Sequence, residues 1–107
     1  MILISKHIIP KGFVGLTLYP FIFLKRKDLK LNYELVNHEK IHLKQQQELL
    51  IIFFYLFYGL EWFIKLLKYK NGFLAYKNLS FEREAYLNES NLYYLEKRKL
   101  FSFLKYL

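Results

Sequence analysis

The chain has 107 residues, a mass of 13.2 kDa and a formal charge of +8; it is 54% hydrophobic and 21% aromatic, with no cysteine. That length holds one domain with a thin core and excludes a separate cofactor-binding domain. The lack of cysteine excludes disulfides, Cys-based zinc or iron–sulfur sites and thiol catalysis, and the Phe and Tyr content excludes a disordered tail.

Met1–His7 lacks a basic start, a long apolar middle and a small-residue cleavage site, so no signal peptide is expected. The expected location is cytoplasmic or membrane-associated. Ser5 to Ile9 and Leu16 to Leu24 read as extended segments, separated by Pro10-Lys11-Gly12. Pro20 predicts that the second run lies at a sheet edge or is broken there, because proline cannot donate to a ladder. Lys25-Arg26-Lys27, with Lys30 nearby, reads as a solvated turn, with contact to anionic headgroups or nucleic acid as the sharper alternatives. No DNA- or RNA-binding motif accompanies it, so nucleic acid is not an expected partner.

From Tyr33 there is no Gly or Pro until Gly59, and Asn32 is a suitable N-cap. One helix is predicted over 33–57, with Gly59 separating it from a second apolar segment that ends near Lys68. Leu49 to Leu60 carries no charge, but it is shorter than the ~20 residues of a membrane span. Extension to Leu67 takes in Glu61 and Lys65. A buried or interfacial helix is therefore expected, with a true span as the alternative. Lys70-Asn71-Gly72 predicts a turn, Asn78 to Ser80 caps a helix over 79–97, and a short helix follows towards Leu107. The sum is an α+β fold in one domain, residues 1–107: a short N-terminal β-hairpin or small sheet packed on a helical bundle.

The chemistry sits in His38-Glu39-Lys40-Ile41-His42, an H-E-x-x-H sequence inside a predicted helix. Four residues advance a helix by ~400°, so the two imidazoles lie ~40° apart on one face, one turn apart. That suits two nitrogens on one Zn²⁺. Glu39 is rotated ~100° from His38, beside the metal, where it can act as general base towards a water in the open coordination position. The bland alternative is a pair of solvated histidines.

Catalytic zinc keeps three protein ligands. With no cysteine and no Asp after Asp28, the third is expected from a downstream glutamate. Glu48 is on the wrong side of the first helix. Glu61 lies in the apolar segment and needs a buried explanation: a supporting position, a pair with Lys65 or a helix end. In Phe81-Glu82-Arg83-Glu84-Ala85-Tyr86, Glu82 forms one stripe with Tyr86, Glu89 and Tyr93, whereas Glu84 points ~160° away. Glu82 is favoured as the ligand; Glu84, read as a solvated charge, stays the alternative. Tyr86 is a candidate donor to an oxyanion or a bound water, with ordinary aromatic packing as its bland reading. Glu89 is a candidate to orient a ligating histidine. Gln45 falls ~20° from the His38–His42 face, which makes it a candidate to contact a ligand or the substrate; the bland reading, shared with Gln46 and Gln47, is solvated helix surface.

His38-Glu39-x-x-His42 followed by Glu82-x-x-Ala85 resembles a zincin metallopeptidase of the gluzincin type. The chain length is similar to that of the minigluzincins, and the Glu-x-x-Ala tract is similar to that of integral-membrane gluzincins that process other membrane proteins. The resemblance covers residues from about 16 to 90. It implies a strand above the active-site helix that binds extended substrate, for which Leu16-Thr17-Leu18-Tyr19 is the matching segment. The membrane enzymes often carry Asp four residues after the ligand Glu; Tyr86 stands there instead.

These readings predict a zinc metallopeptidase acting on a peptide or protein, with His38, His42 and Glu82 as ligands and Glu39 and Tyr86 as catalytic groups. The alternative is a non-catalytic, membrane-peripheral metal-binding or interaction protein. Phe101 to Leu107 is a segment that could cover the cleft.

Overall fold

The computed structural model describes residues 1–107. Strands β1 (Ile2–Ile4), β2 (Gly15–Leu18) and β3 (Phe21–Leu24) form a mixed sheet with β3 in the centre, parallel to β1 and antiparallel to β2. Alternation along β3 turns Ile22 and Leu24 inward. These two pack with Leu29 and Val36 against the first long helix. The expected run from Leu16 to Leu24 is broken at Tyr19-Pro20, whose peptide bond is cis. The break leaves two strands of one hairpin. The first extended segment is Ile2–Ile4 rather than Ser5 to Ile9, because Ile22 N–H and Ser5 N–H complete the pairing of β1 with β3 at 2.8 and 2.9 Å.

Five helices follow: α1 (Tyr33–Glu48), α2 (Ile52–Tyr69), α3 (Gly72–Lys77), α4 (Ser80–Asn88) and α5 (Tyr94–Lys97). Short 3-10 turns occupy Lys27–Leu31 and Ser102–Tyr106. Asn32 caps α1 by accepting the Leu35 N–H at 3.1 Å, and Asn71 caps α3 in the same way with Leu74. The start of α4 is capped from a distance. Glu61 of α2 accepts the Ser80 N–H at 2.7 Å and the Ser80 hydroxyl at 2.6 Å, while Lys65 Nζ stands 3.4 Å from Glu61. A second small core joins Leu49, Phe54, Phe81 and Phe103.

The helix expected over 33–57 turns a corner after Glu48, and Gly59 lies inside α2 instead of dividing two segments. The two helices meet at 111°, and no single helix is long and apolar enough to cross a membrane. The corner has no Gly or Pro to announce it. Leu50 N–H donates to Gln47 O at 3.2 Å and Ile51 N–H to Gln46 O at 2.7 Å, the Schellman pattern of a helix end. Leu50 has φ 56°, a region that costs a residue with a Cβ about 1–2 kcal/mol, and Ile51, at φ 65° and ψ −59°, is the centre of a strained γ-turn closed by Ile52 N–H to Leu50 O at 2.6 Å. Leu50 is exposed, so Leu50→Gly removes little packing. It is expected to stabilise the fold by about 0.5–1 kcal/mol in urea unfolding, the backbone relief exceeding glycine's entropic cost; a loss of that size would contradict this account of the corner.

The helix expected over 79–97 likewise ends at Asn88. Asn37 of α1 binds the chain beyond it, its amide donating to the carbonyls of Glu89 and Asn91 at 2.9 Å each. That anchor turns the backbone away and leaves Tyr93 exposed, outside the Glu82–Tyr86–Glu89 stripe.

Candidate metal centre

His38 and His42 lie one turn apart on α1 and face Glu82 of α4, and all three are buried. His42 Nε2 is 3.2 Å from His38 Nε2 and 3.2 Å from Glu82 Oε1; His38 Nε2 is 3.5 Å from the same oxygen. A tetrahedral zinc with bonds of ~2.0–2.1 Å needs ligand atoms ~3.3 Å apart. The three donor atoms thus form one face of such a tetrahedron.

The outer nitrogens set the tautomers. Gln45 Nε2 donates to Phe81 O at 3.0 Å and to Glu84 Oε1 at 2.9 Å, so its Oε1, 2.8 Å from His42 Nδ1, accepts a hydrogen bond from the N–H at that nitrogen. Glu89 Oε1 is 3.2 Å from His38 Nδ1 and takes the same role there. Neutral imidazoles held this way turn both Nε2 lone pairs towards a carboxylate oxygen. Three acceptors then converge without a donor, an arrangement that calls for a cation. Burial alone would lower the pKa of His42, but the Glu82 carboxylate outweighs it and raises it to about 9. Burial likewise pushes Glu82 up, and His42 and His38 overcome it, holding Glu82 well below the usual carboxylate range.

Tyr58 of α2 donates to Glu82 Oε2 at 3.0 Å, fixing the carboxylate so that Oε1 meets the histidines. Burial, then the nearby Glu82 charge, raises the Tyr58 pKa, which keeps that proton in place. Glu39 is buried beside the two histidines and Glu82, and Thr17 Oγ1 of β2 donates to its Oε1 at 2.7 Å. A Cβ at Gly15 would stand 3.1 Å from Glu39 Oε2, so glycine there leaves the second oxygen room. Glu39, both histidines and Glu82 line one cleft of about 330 Å³, walled by β2 and by Phe54, Tyr55 and Tyr58 of α2.

Several residues stand elsewhere than the sequence suggests. Glu84, read as solvated, is fully buried, and its hydrogen bonds come from Gln45, Tyr94 and Arg98. Burial raises its pKa and those bonds more than offset the rise. It points away from the metal cluster, as its helical angle demands. Gln46, read as surface, is also buried, and so is Gln45, whose place on the histidine face brings it to His42 and not to solvent. Gln46 Nε2 donates to Thr17 O at 2.9 Å and its Oε1 accepts the Tyr19 N–H at 2.7 Å, tying the free edge of β2 to α1. Tyr86 does not line the cleft. Its ring meets His38 edge-on at 4.5 Å, Lys77 lies over its other side, and its hydroxyl is 3.3 Å from that of Tyr76, which does line the cleft. The C-terminal segment stays outside the cleft, with Phe103 stacked on Phe81 and Tyr106 O accepting from Arg83.

Sequence reasoning missed Tyr58 and Gly15, and it placed Thr17 only within the strand expected above the helix, without its bond to Glu39. Tyr58 carries a weak signal, a hydroxyl within an uncharged apolar run. Gly15 carries none until β2 is placed over α1. Comparison of the chain with family models, curated proteins and solved structures finds no significant match.

Proposed function

We propose that the protein is a zinc-dependent peptidase. The observation that carries this reading is the convergence of His38 Nε2, His42 Nε2 and Glu82 Oε1 at tetrahedral spacing, with Glu39 on the wall of the same cleft. His38, His42 and Glu82 would hold the ion. When bound, zinc supplies Lewis-acid polarisation of a carbonyl and lowers the pKa of water.

The chain's own residues do the rest. Glu39, steadied by Thr17, takes a proton from the attacking water as its oxygen bonds to the scissile carbonyl carbon, and delivers that proton to the amine as the C–N bond breaks. Tyr76, which lines the cleft with its hydroxyl 3.3 Å from that of Tyr86, is the candidate donor to the developing oxyanion, and Tyr86 would act only through it. An extended substrate would pair with the free edge of β2. Val14 O accepts from Lys25 on the β3 side, so Gly15, Thr17 and Tyr19 turn their backbone groups the other way. Gln46 already takes Thr17 O and Tyr19 N–H, which leaves the Gly15 end for a short peptide.

The test is hydrolysis of an unfolded protein substrate. Activity is expected to vanish with a zinc chelator and return with added zinc. Hydrolysis that persists after complete zinc removal would refute the proposal.

A further inference from the structure

Helix α2 wears its polarity inside out. Taking Ile52 as 0°, helical arithmetic puts Phe54, Tyr58, Glu61, Lys65 and Tyr69 at about 180–260°, and these face the protein. The helix's only acid, Glu61, and its partner Lys65 are there, with side chains 12% and 15% exposed. Phe53, Leu56, Leu60, Phe63, Ile64 and Leu67 fall within about 20–120°, and each is at least 50% exposed. A helix between protein and water shows the reverse pattern. This apolar face runs along 18 residues, ~27 Å, and a continuous exposed apolar stripe of this kind marks a protein or membrane contact. Phe73, at the start of α3, is exposed as well.

The surrounding charge selects the occupant. Between Leu49 and Ser80 the sequence has Glu61 as its one acid, turned inward, while Lys68, Lys70 and Lys77 are exposed. The whole chain carries +8. A second copy would bring like charges together; an anionic lipid surface meets both the apolar face and the lysines. We infer that α2 is a membrane-docking helix that lies in the plane of an anionic bilayer, its outer face among the acyl chains and Lys68 and Lys70 at the headgroups. Phe54, Tyr55 and Tyr58 of this helix line the cleft from its other side, so docking would hold the cleft about one helix diameter, ~10 Å, from the lipid surface. The inference stands whether or not the cleft hydrolyses peptides.

The experiment is flotation of the whole chain with vesicles of phosphatidylcholine alone and of phosphatidylcholine with phosphatidylglycerol. The wild type is expected to float with the anionic vesicles, less so at high salt. Leu56→Gln/Leu60→Gln, on exposed positions and without charge change, is expected to bind at least about tenfold more weakly while keeping its circular dichroism spectrum. Lys68→Glu/Lys70→Glu is expected to lose the preference for anionic lipid. The inference is overturned if the wild type floats with neither vesicle, or if the double glutamine variant floats equally well. It is also overturned if sedimentation in lipid-free buffer shows a dimer that the glutamine variant dissociates and that no vesicle binds.

Discussion

Glu39→Gln is expected to lower the turnover of peptide hydrolysis by about 10²–10⁴-fold while leaving zinc content unchanged. Glu39 is not among the three converging donor atoms, so its carboxylate is not needed to hold the ion. Its Oε1 accepts from Thr17 at 2.7 Å, and a glutamine Oε1 accepts the same hydrogen bond. The strand therefore stays over α1, the cleft keeps its shape, and what disappears is a group able to take up a proton. The check is steady-state kinetics beside metal analysis and a thermal melt. Loss of zinc together with activity would make Glu39 a ligand instead of a base, and full activity would remove it from the reaction.

Arg98→Ala is expected to have the largest effect on stability, a loss of about 3–5 kcal/mol. Arg98 forks between two buried carboxylates. Its Nη2 and Nη1 donate to Glu48 at 2.8 and 3.0 Å, and its Nε and Nη2 reach Glu84. Removing the guanidinium leaves two negative charges in the interior, with only Tyr94, Gln45 and the Phe101 N–H to hold them. Adding Glu48→Gln and Glu84→Gln should recover part of the loss, since most of the cost is uncompensated charge and not the missing contact. Urea unfolding of the series decides it; a loss below about 1 kcal/mol in Arg98→Ala would place the network among weak surface pairs. The effect also reaches the metal site, because Gln45 bridges Glu84 to His42.

The α+β class follows from patterning: β-branched and aromatic residues before Leu24, and a long stretch without Gly or Pro after Tyr33. The spacing of His38 and His42 puts two imidazoles on one face wherever α1 packs, and Glu82 lies on the one face of α4 that can meet them. The corner at Leu50 and Ile51 was not legible, because two aliphatic residues occupy positions where glycine would have marked the turn. The surroundings of the site were hidden for a related reason. Gln45, Gln46 and Glu84 look like solvent-facing residues in a helical sequence. They are buried because each finds a specific partner across the fold, and such pairing has no trace in local spacing. Tyr58 and Thr17 reach the site only because α2 folds back beside α4 and β2 lies over α1. The hydrophobic excess was visible from composition, but its outward placement on α2 became apparent only once Glu61 and Lys65 were seen facing inward.

The most direct test of the account is the zinc content of the purified chain beside that of Glu82→Ala after equilibration with limiting zinc. The wild type is predicted to hold about one zinc per chain, and Glu82→Ala to lose it, because two histidines on one helix leave a catalytic zinc site one protein ligand short. A wild type without bound zinc, or a Glu82→Ala variant that binds it as tightly as the wild type, would contradict the assignment of His38, His42 and Glu82 as the metal centre.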